Sequence, residues 1–381
     1  MRARALAVIG MLIGGLVLAL TGAFGRGSDD SVQARASPPS AVTASYYGVN
    51  SGLAFSSSPV TWDAAGAQIA LLGVGTVRRD AFWSAVEPKP PIRGAHRYRW
   101  QATDELVAAL AKSRLRWYPI VDYATNWAGV DGWESPPRAA YVADYAAFAG
   151  ALARRYGRGG SFWRAHPQLP AMPIENYEIW NEPNFSHFWP EQSYAPERLA
   201  EMYLESQARI KKVDPTASVV LGGLVTEGVE GFLGRMVRAR PRMLRGLEAV
   251  GFHPYGGGPD GGLQTTYANI RILRTALDRL FPGRSVPMEI TETGWAVPPT
   301  PEAWRSARLQ RLALELPRSN CNITRFIVFD WTSVASGASL SAGFGIASSD
   351  GVMTESALAL KAAIASVLAS GAAPRNEVKI C

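Results

Sequence analysis

From residue 41 onward, two hydrophobic patterns alternate along the chain. Short β-branched or aromatic runs predict strands at Tyr46–Asn50, Thr76–Arg79, Leu115–Val121, Asn176–Trp180, Ser218–Gly222, Ala249–His253, Val286–Thr291 and Thr324–Phe329. Between them, apolar positions recur every three or four residues. That spacing predicts helices over Trp62–Leu72, Ala102–Lys112, Arg138–Tyr156, Pro196–Val213, Val229–Arg238, Thr265–Leu280, Pro301–Leu316 and Glu355–Ser370. Pro and an acid open two of these helices, at Ala195-Pro196-Glu197 and Thr300-Pro301-Glu302. Strand followed by helix, repeated without an internal sequence repeat, is the signature of parallel βαβ units. Eight units predict an α/β chain closed into a (β/α)8 TIM barrel, one domain over residues 41–381. An open doubly wound sheet is the alternative, but no glycine-rich phosphate-binding turn follows an early strand.

Residues 1–40 have another character. Arg2 and Arg4 precede an apolar run from Ala5 to Phe24, and a polar stretch to Ser40 follows. This reads as a signal peptide or an N-terminal membrane anchor plus linker, since about 20 apolar residues can span a bilayer. Ala34-Arg35-Ala36 resembles a small-x-small cleavage site. With the basic residues at the start, either outcome places the barrel outside the cytoplasm, secreted or held at the membrane.

With 381 residues and 47% hydrophobic content, the chain can bury a large core. Its net charge of +7 comes from scattered arginines, and no dense basic stripe with interleaved aromatics marks a nucleic-acid surface. A weak attraction to anionic envelope polymers stays open. Four histidines and two cysteines offer no metal-ligand spacing, so neither metal nor cofactor is expected. In an exported chain, Cys321 and Cys381 predict a disulfide tying the C-terminal tail to the N-terminal face of the barrel. Twelve tryptophans are many, and at least half are expected in the core. Trp127, Trp133, Trp189 and Trp295 are each as open to lining a carbohydrate groove as to core packing.

Two segments carry the chemistry. Tyr177-Glu178-Ile179-Trp180-Asn181-Glu182-Pro183-Asn184 begins as an aromatic strand and breaks at Pro183, which should hold Glu182 extended at the strand's C-terminal end. Val286-Pro287-Met288-Glu289-Ile290-Thr291-Glu292-Thr293-Gly294-Trp295 likewise ends in an acid. The first follows the fourth strand and the second the seventh. Two carboxyls across a barrel mouth can cleave a glycosidic bond, one protonating the leaving oxygen while the other attacks. Odd spacing from Glu292 assigns Glu289 to the opposite strand face. Glu178 reads as a structural partner for an arginine.

Together these motifs resemble clan A of the glycoside hydrolases. Glu178-Ile179-Trp180-Asn181-Glu182-Pro183-Asn184-Phe185 with Phe188-Trp189 is most similar to family 39, with a family 5 cellulase-like assignment as the other reading. Arg78, Asp80, Trp83, Glu87 and Pro88 repeat a spacing common near the second strand of such enzymes. The resemblance implies a retaining hydrolase with Glu182 as acid/base and Glu292 as nucleophile. It further implies Asn181 on the sugar 2-hydroxyl, Arg78 keeping the nucleophile ionised, and His253 and Tyr255 in the site, with Tyr255 bonded to Glu292. Trp331 would be the platform under the cleaved sugar. The implied partner is an oligo- or polysaccharide; the export segment points to one of the cell envelope or surroundings, the Trp-rich loops suggest an open groove and internal cleavage, and a monomer is expected. The segments 126–137 and 256–262 match no substrate-specific pattern. Two alternatives share these residues: a carbohydrate-binding barrel without catalysis, and a transglycosylase using the same intermediate.

Overall fold

In a computed structural model, the described residues are 41–56, 61–130, 135–256, 262–333, 341–371 and 376–381. The export or anchor segment and Trp133 lie outside them. Among the described residues, no helix is long and apolar enough to cross a membrane.

Eight parallel strands close a barrel in chain order. They are β1 (Tyr47–Asn50), β2 (Thr76–Phe82), β3 (Arg116–Asp122), β4 (Asn176–Asn181), β5 (Ser218–Val225), β6 (Ala249–His253), β7 (Met288–Ile290) and β8 (Ile323–Val328). β8 returns to pair with β1 through Tyr47 and Phe326, which closes the ring. The predicted (β/α)8 architecture is the observed one. A helix follows each strand: Trp62–Ala70, Gln101–Lys112, Val142–Tyr156, Ala195–Lys211, Val229–Ala239, Leu263–Leu280, Glu302–Glu315 and Glu355–Ala369. Ala195–Lys211 carries proline in its first turn, and Pro301 precedes Glu302–Glu315, as their sequence signals require.

Boundaries shift where tertiary contacts override pattern. β7 is three residues long, because Thr291 and Glu292 leave the ladder to reach the mouth. Between β5 and β6 the register slips from Leu221 to Leu224. The short helices Trp83–Val86, Ser161–Ala165 and Met243–Gly246 sit inside connections and carry too few residues for a periodic signal.

The main apolar core fills the layer between strands and helices, and a small cluster of Tyr118, Val220, Ala249 and Ile327 fills the barrel interior. Of the eleven described tryptophans, eight are buried, which meets the expectation for the core. At the opposite end from the mouth, Cys321 and Cys381 are joined across a Cα separation of 5.3 Å. Asn320 supports the tail there by accepting from the Ile380 and Cys381 N–H groups.

Candidate active site

The polar part of the barrel interior is built in layers of carboxylate and guanidinium, as buried charge requires. In the lower layer, Arg325 Nε meets Glu289 at 3.2 Å, while Tyr118 and Asn176 donate to the same carboxylate. Glu289 therefore faces the barrel interior rather than its outside. Side-chain alternation extends only as far as the ladder, and β7 ends at Ile290, so parity counted back from Glu292 misleads.

One layer higher, Arg78 on β2 is the hub. It donates to Glu178 at 2.6 Å, Glu292 at 2.5 Å, Asn50 at 2.9 Å and Asn181 at 2.8 Å, with only 1% of its surface exposed. Burial alone would lower its pKa, but the charges of Glu178 and Glu292 push it up and fix the cation. Glu178 is thus the arginine partner that its position on β4 predicts, and Thr291 also donates to it at 3.1 Å.

At the mouth, Glu182 and Glu292 come together. One oxygen of each and a ring nitrogen of His253 all lie within 4.8 Å of one another. Tyr255 donates to Glu292 at 2.8 Å, and His253 Nδ1 lies 2.6 Å from Glu182 and 3.6 Å from Glu292. Burial pushes the Glu292 carboxyl up. His253, Arg78 and the hydrogen bonds from Tyr255 and Arg78 outweigh it and hold the group below its ordinary range. Three such ligand atoms have the spacing of a cation site, yet Arg78 already supplies a fixed positive charge at hydrogen-bond distance from Glu292.

Glu182 is not held extended. Its φ is 42°, and Trp180 before it has φ 72°, both in the left-handed region that non-glycine residues enter at a cost. The Glu182 N–H bonds Gly223 O at 3.0 Å, and its carbonyl accepts from Phe185. The chain therefore turns at Glu182, and the break at Trp180 sends both Asn181 and Glu182 toward the cleft. Two glycines on β5 make this fit: a Cβ on Gly222 would lie 2.1 Å from Trp180 O, and one on Gly223 would lie 2.0 Å from His253 Nε2.

A cleft of about 1430 Å³ opens above these groups and takes in Arg78, Asn181, Glu182, His253, Tyr255 and Glu292. Trp295 also lines it, with Arg308 over its ring at 5.3 Å. Two expected platforms do not. Trp331 is 1% exposed and packed in the apolar core, with its main-chain N–H bonded to Asn50 O at the end of β1; Phe329 and Phe344 line the cleft in that region instead. Trp127 packs edge-on against Trp83 and Tyr141 and donates to Glu87 O, inside an aromatic cluster built around the buried Glu87. Trp189 is fully buried.

The structure adds residues that pattern reading did not assign. Tyr123 and Phe188 stack 6.4 Å apart and form an apolar wall of the cleft. Asp330 lies in the wall, and burial together with the Glu292 charge pushes its carboxyl up to about 8. Asp80 faces the cleft, and its charge together with burial pushes up the carboxyl of the fully buried Asp122. Asp80 shares strand parity with Arg78, a signal that pointed inward. Asp122 and Asp330 carry no sequence mark beyond a strand end.

Neither the family models nor the curated proteins contain a match to this chain. Solved structures do match. A family GH39 enzyme from Xanthomonas axonopodis pv. citri superposes with TM-score 0.61 at 17% identity, covering 85% of this chain and 67% of that one. A monomeric beta-xylosidase from Caulobacter crescentus CB15 gives 0.59 at 18%, covering 86% and 69%. A GH5_18 enzyme from Streptomyces cattleya, in complex with GlcNAc, gives 0.64 at 16%, covering 89% and 83%. What is shared at this identity is the barrel fold.

Proposed function

Taking that shared barrel as premise, we propose that the protein is a retaining glycoside hydrolase of clan A, nearest in its motifs to family 39. The observation that carries the reading is the pair of carboxyl oxygens within 4.8 Å across one cleft, in unlike surroundings. Retaining pairs stand about 5–5.5 Å apart and inverting pairs about 6.5–9.5 Å, because inversion needs a water between acid and sugar. The spacing falls on the retaining side.

The surroundings divide the roles. Glu292, held ionised by Arg78, His253 and Tyr255, attacks the anomeric carbon while Glu182 passes a proton to the departing glycosidic oxygen. Thr291 gives its hydroxyl proton to Glu178 and so accepts from His253 Nε2, which leaves His253 Nδ1, 2.6 Å from Glu182, to hold that carboxyl in place. In the second half-reaction Glu182 takes a proton from water, the water oxygen attacks the anomeric carbon, and the bond from that carbon to Glu292 breaks, releasing the carboxylate. Asn181 fixes its Oδ1 on Arg78 and keeps its amide N–H groups for a sugar hydroxyl.

The cleft exceeds the usual size of a small-molecule pocket, about 300–1000 Å³, which favours internal cleavage of a polysaccharide by a monomer. The disulfide and the basic-then-apolar N-terminus favour an extracellular or envelope location, by secretion or by a retained anchor.

The test is a screen of aryl glycosides and polysaccharides with product sizing, followed by NMR of the anomer formed first. A retained anomer is expected. An inverted one overturns the mechanism, and tight binding without turnover on every substrate returns the reading to a carbohydrate-binding barrel.

A further inference from the structure

The cleft accounts for the acidic residues singled out in the sequence but leaves the net charge of +7 without a role. A second cavity, of about 470 Å³, lies at the C-terminal end of helix Val142–Tyr156 and shares no residue with the cleft. Four arginines, Arg154, Arg155, Arg158 and Arg164, line it, and no acidic residue does. Arg155 is committed, ion-paired with Asp104 and lying over the Trp100 ring at 5.6 Å.

The other three are exposed, and among the described residues none of their guanidinium groups is ion-paired; Asp214 accepts from the Arg158 main-chain N–H at 3.2 Å and feels the Arg158 charge without pairing with it. The Arg158 side chain bonds Thr216 Oγ1, at 3.3 Å, and that of Arg164 the Gly159 carbonyl. Other surface arginines of this barrel, such as Arg235, Arg240, Arg279 and Arg311, each meet a carboxylate. Gathering three guanidiniums without an ion pair in one concavity raises the local potential, and a bound anion relieves it. Beside them, the half-buried Tyr98 and Trp100 present apolar surface of the kind that meets the C–H faces of sugar rings.

We propose that this cavity is a second binding site, for an anionic segment of a glycan carrying carboxylate or sulfate groups. Arg154, Arg158 and Arg164 hold the acidic groups, and Tyr98 and Trp100 meet the ring. Guanidinium pairs with carboxylate and sulfate through paired N–H donors, which a solvated patch of lysines would not do as well. A membrane fits less well: the surface is concave, and none of the exposed large hydrophobic side chains belongs to its wall. Sequence reading saw scattered arginines because these four are brought to Tyr98 and Trp100 by the fold, some fifty residues away in the chain.

The proposal stands apart from catalysis in the cleft, and its test reads binding. The full chain is run by affinity electrophoresis through gels containing polygalacturonate, dextran sulfate or neutral dextran, and is separately mixed with anionic lipid vesicles and single-stranded DNA. Retardation by polygalacturonate or dextran sulfate is expected, weakening as salt is added, with dextran far less effective. The triple variant R154A/R158A/R164A should weaken that binding about tenfold, the effect of a little over 1 kcal/mol. The triple lysine variant should keep most of it, and a thermal melt reports that each variant is folded. Should the triple alanine variant misfold, the single charge reversal R154E must weaken binding in the same gels. Unchanged retardation in the alanine or reversal variant, equal retardation by dextran, no retardation at all, or binding to vesicles or DNA without binding to acidic glycans would each overturn the proposal.

Discussion

Glu289 and Glu292 lie three residues apart on one segment, are both buried in the barrel, and hold opposite proton affinities. Burial raises both carboxyls. At Glu289 it wins, because Arg325 stands 3.2 Å away and Glu178 adds a like charge, so the group stays above its ordinary range. At Glu292 it loses to His253 and Arg78, the latter at 2.5 Å, with hydrogen bonds from Tyr255 and Arg78 added. Burial is shared, so the difference lies in what faces each group. The lower constellation is closed by Tyr118 and Asn176, whereas the upper one opens onto the cleft. An arginine–carboxylate pair in a barrel therefore carries no functional meaning until its open side is known.

The sharpest break of this comparison is Glu292→Ala. On whichever aryl glycoside the enzyme turns over, kcat should fall about 10⁴-fold or more, since the covalent step has no substitute group. Azide should restore part of the rate and give a product of inverted configuration. Undiminished turnover would remove Glu292 from the mechanism. Next in size is Arg78→Lys. Lysine cannot serve four acceptors in a fixed plane, so kcat/KM should drop by about 10²-fold. Glu292's carboxyl, no longer held down, should move the acid limb of the kcat/KM profile to higher pH. An unshifted acid limb would mean that Arg78 does not set the ionisation of the nucleophile.

Glu289→Gln sharpens the contrast from the other side. It leaves Arg325 buried opposite a neutral amide, a loss of about 3 kcal/mol in unfolding free energy. The low end of the usual range applies because Glu289's raised pKa shows that pairing does not fully offset its burial. Turnover by the folded variant should stay within about threefold of wild type, as the group does not line the cleft. Denaturant unfolding and kcat, measured on the same preparation, separate the two effects, and a kcat loss as large as that of Arg78→Lys would erase the distinction between floor and mouth.

The barrel, its strand order and the two carboxyls were legible because they rest on local rules: eight alternations of pattern and two acids at strand ends. Glu178's partner was legible for the same reason. The rest depended on where the ladder stops. Glu289 pointed inward because alternation fails once β7 ends, and no periodicity marks that place, while the platform role for Trp331 came from family resemblance and the core holds that side chain instead. Glu182's left-handed turn is set by Gly223 on a neighbouring strand, beyond the reach of the Pro183 rule. The arginine cavity was invisible for a plainer reason, since proximity between residues 98–100 and 154–164 is a property of the fold.

The smallest expected effect concerns a third carboxyl group. Asp122 is fully buried, its carboxyl oxygens have no hydrogen-bond partner among the described residues, and Asp80 adds a like charge. Burial and Asp80's charge raise its pKa, so the folded state holds a proton that the unfolded chain releases near pH 4. A raised folded value contributes stability fully present below about pH 4 and lost as pH rises toward that value, because the folded state binds more protons. Asp122→Asn replaces the titrating group with an amide that stays neutral at every pH. The variant should therefore be no more stable than wild type at pH 4 and should overtake it by about 1 kcal/mol toward pH 8. Melting temperatures of the two proteins across that interval decide the matter. Parallel curves would show that Asp122 does not hold the proton, and the wall beside Arg78 would then carry two ionised carboxylates where this reading places one.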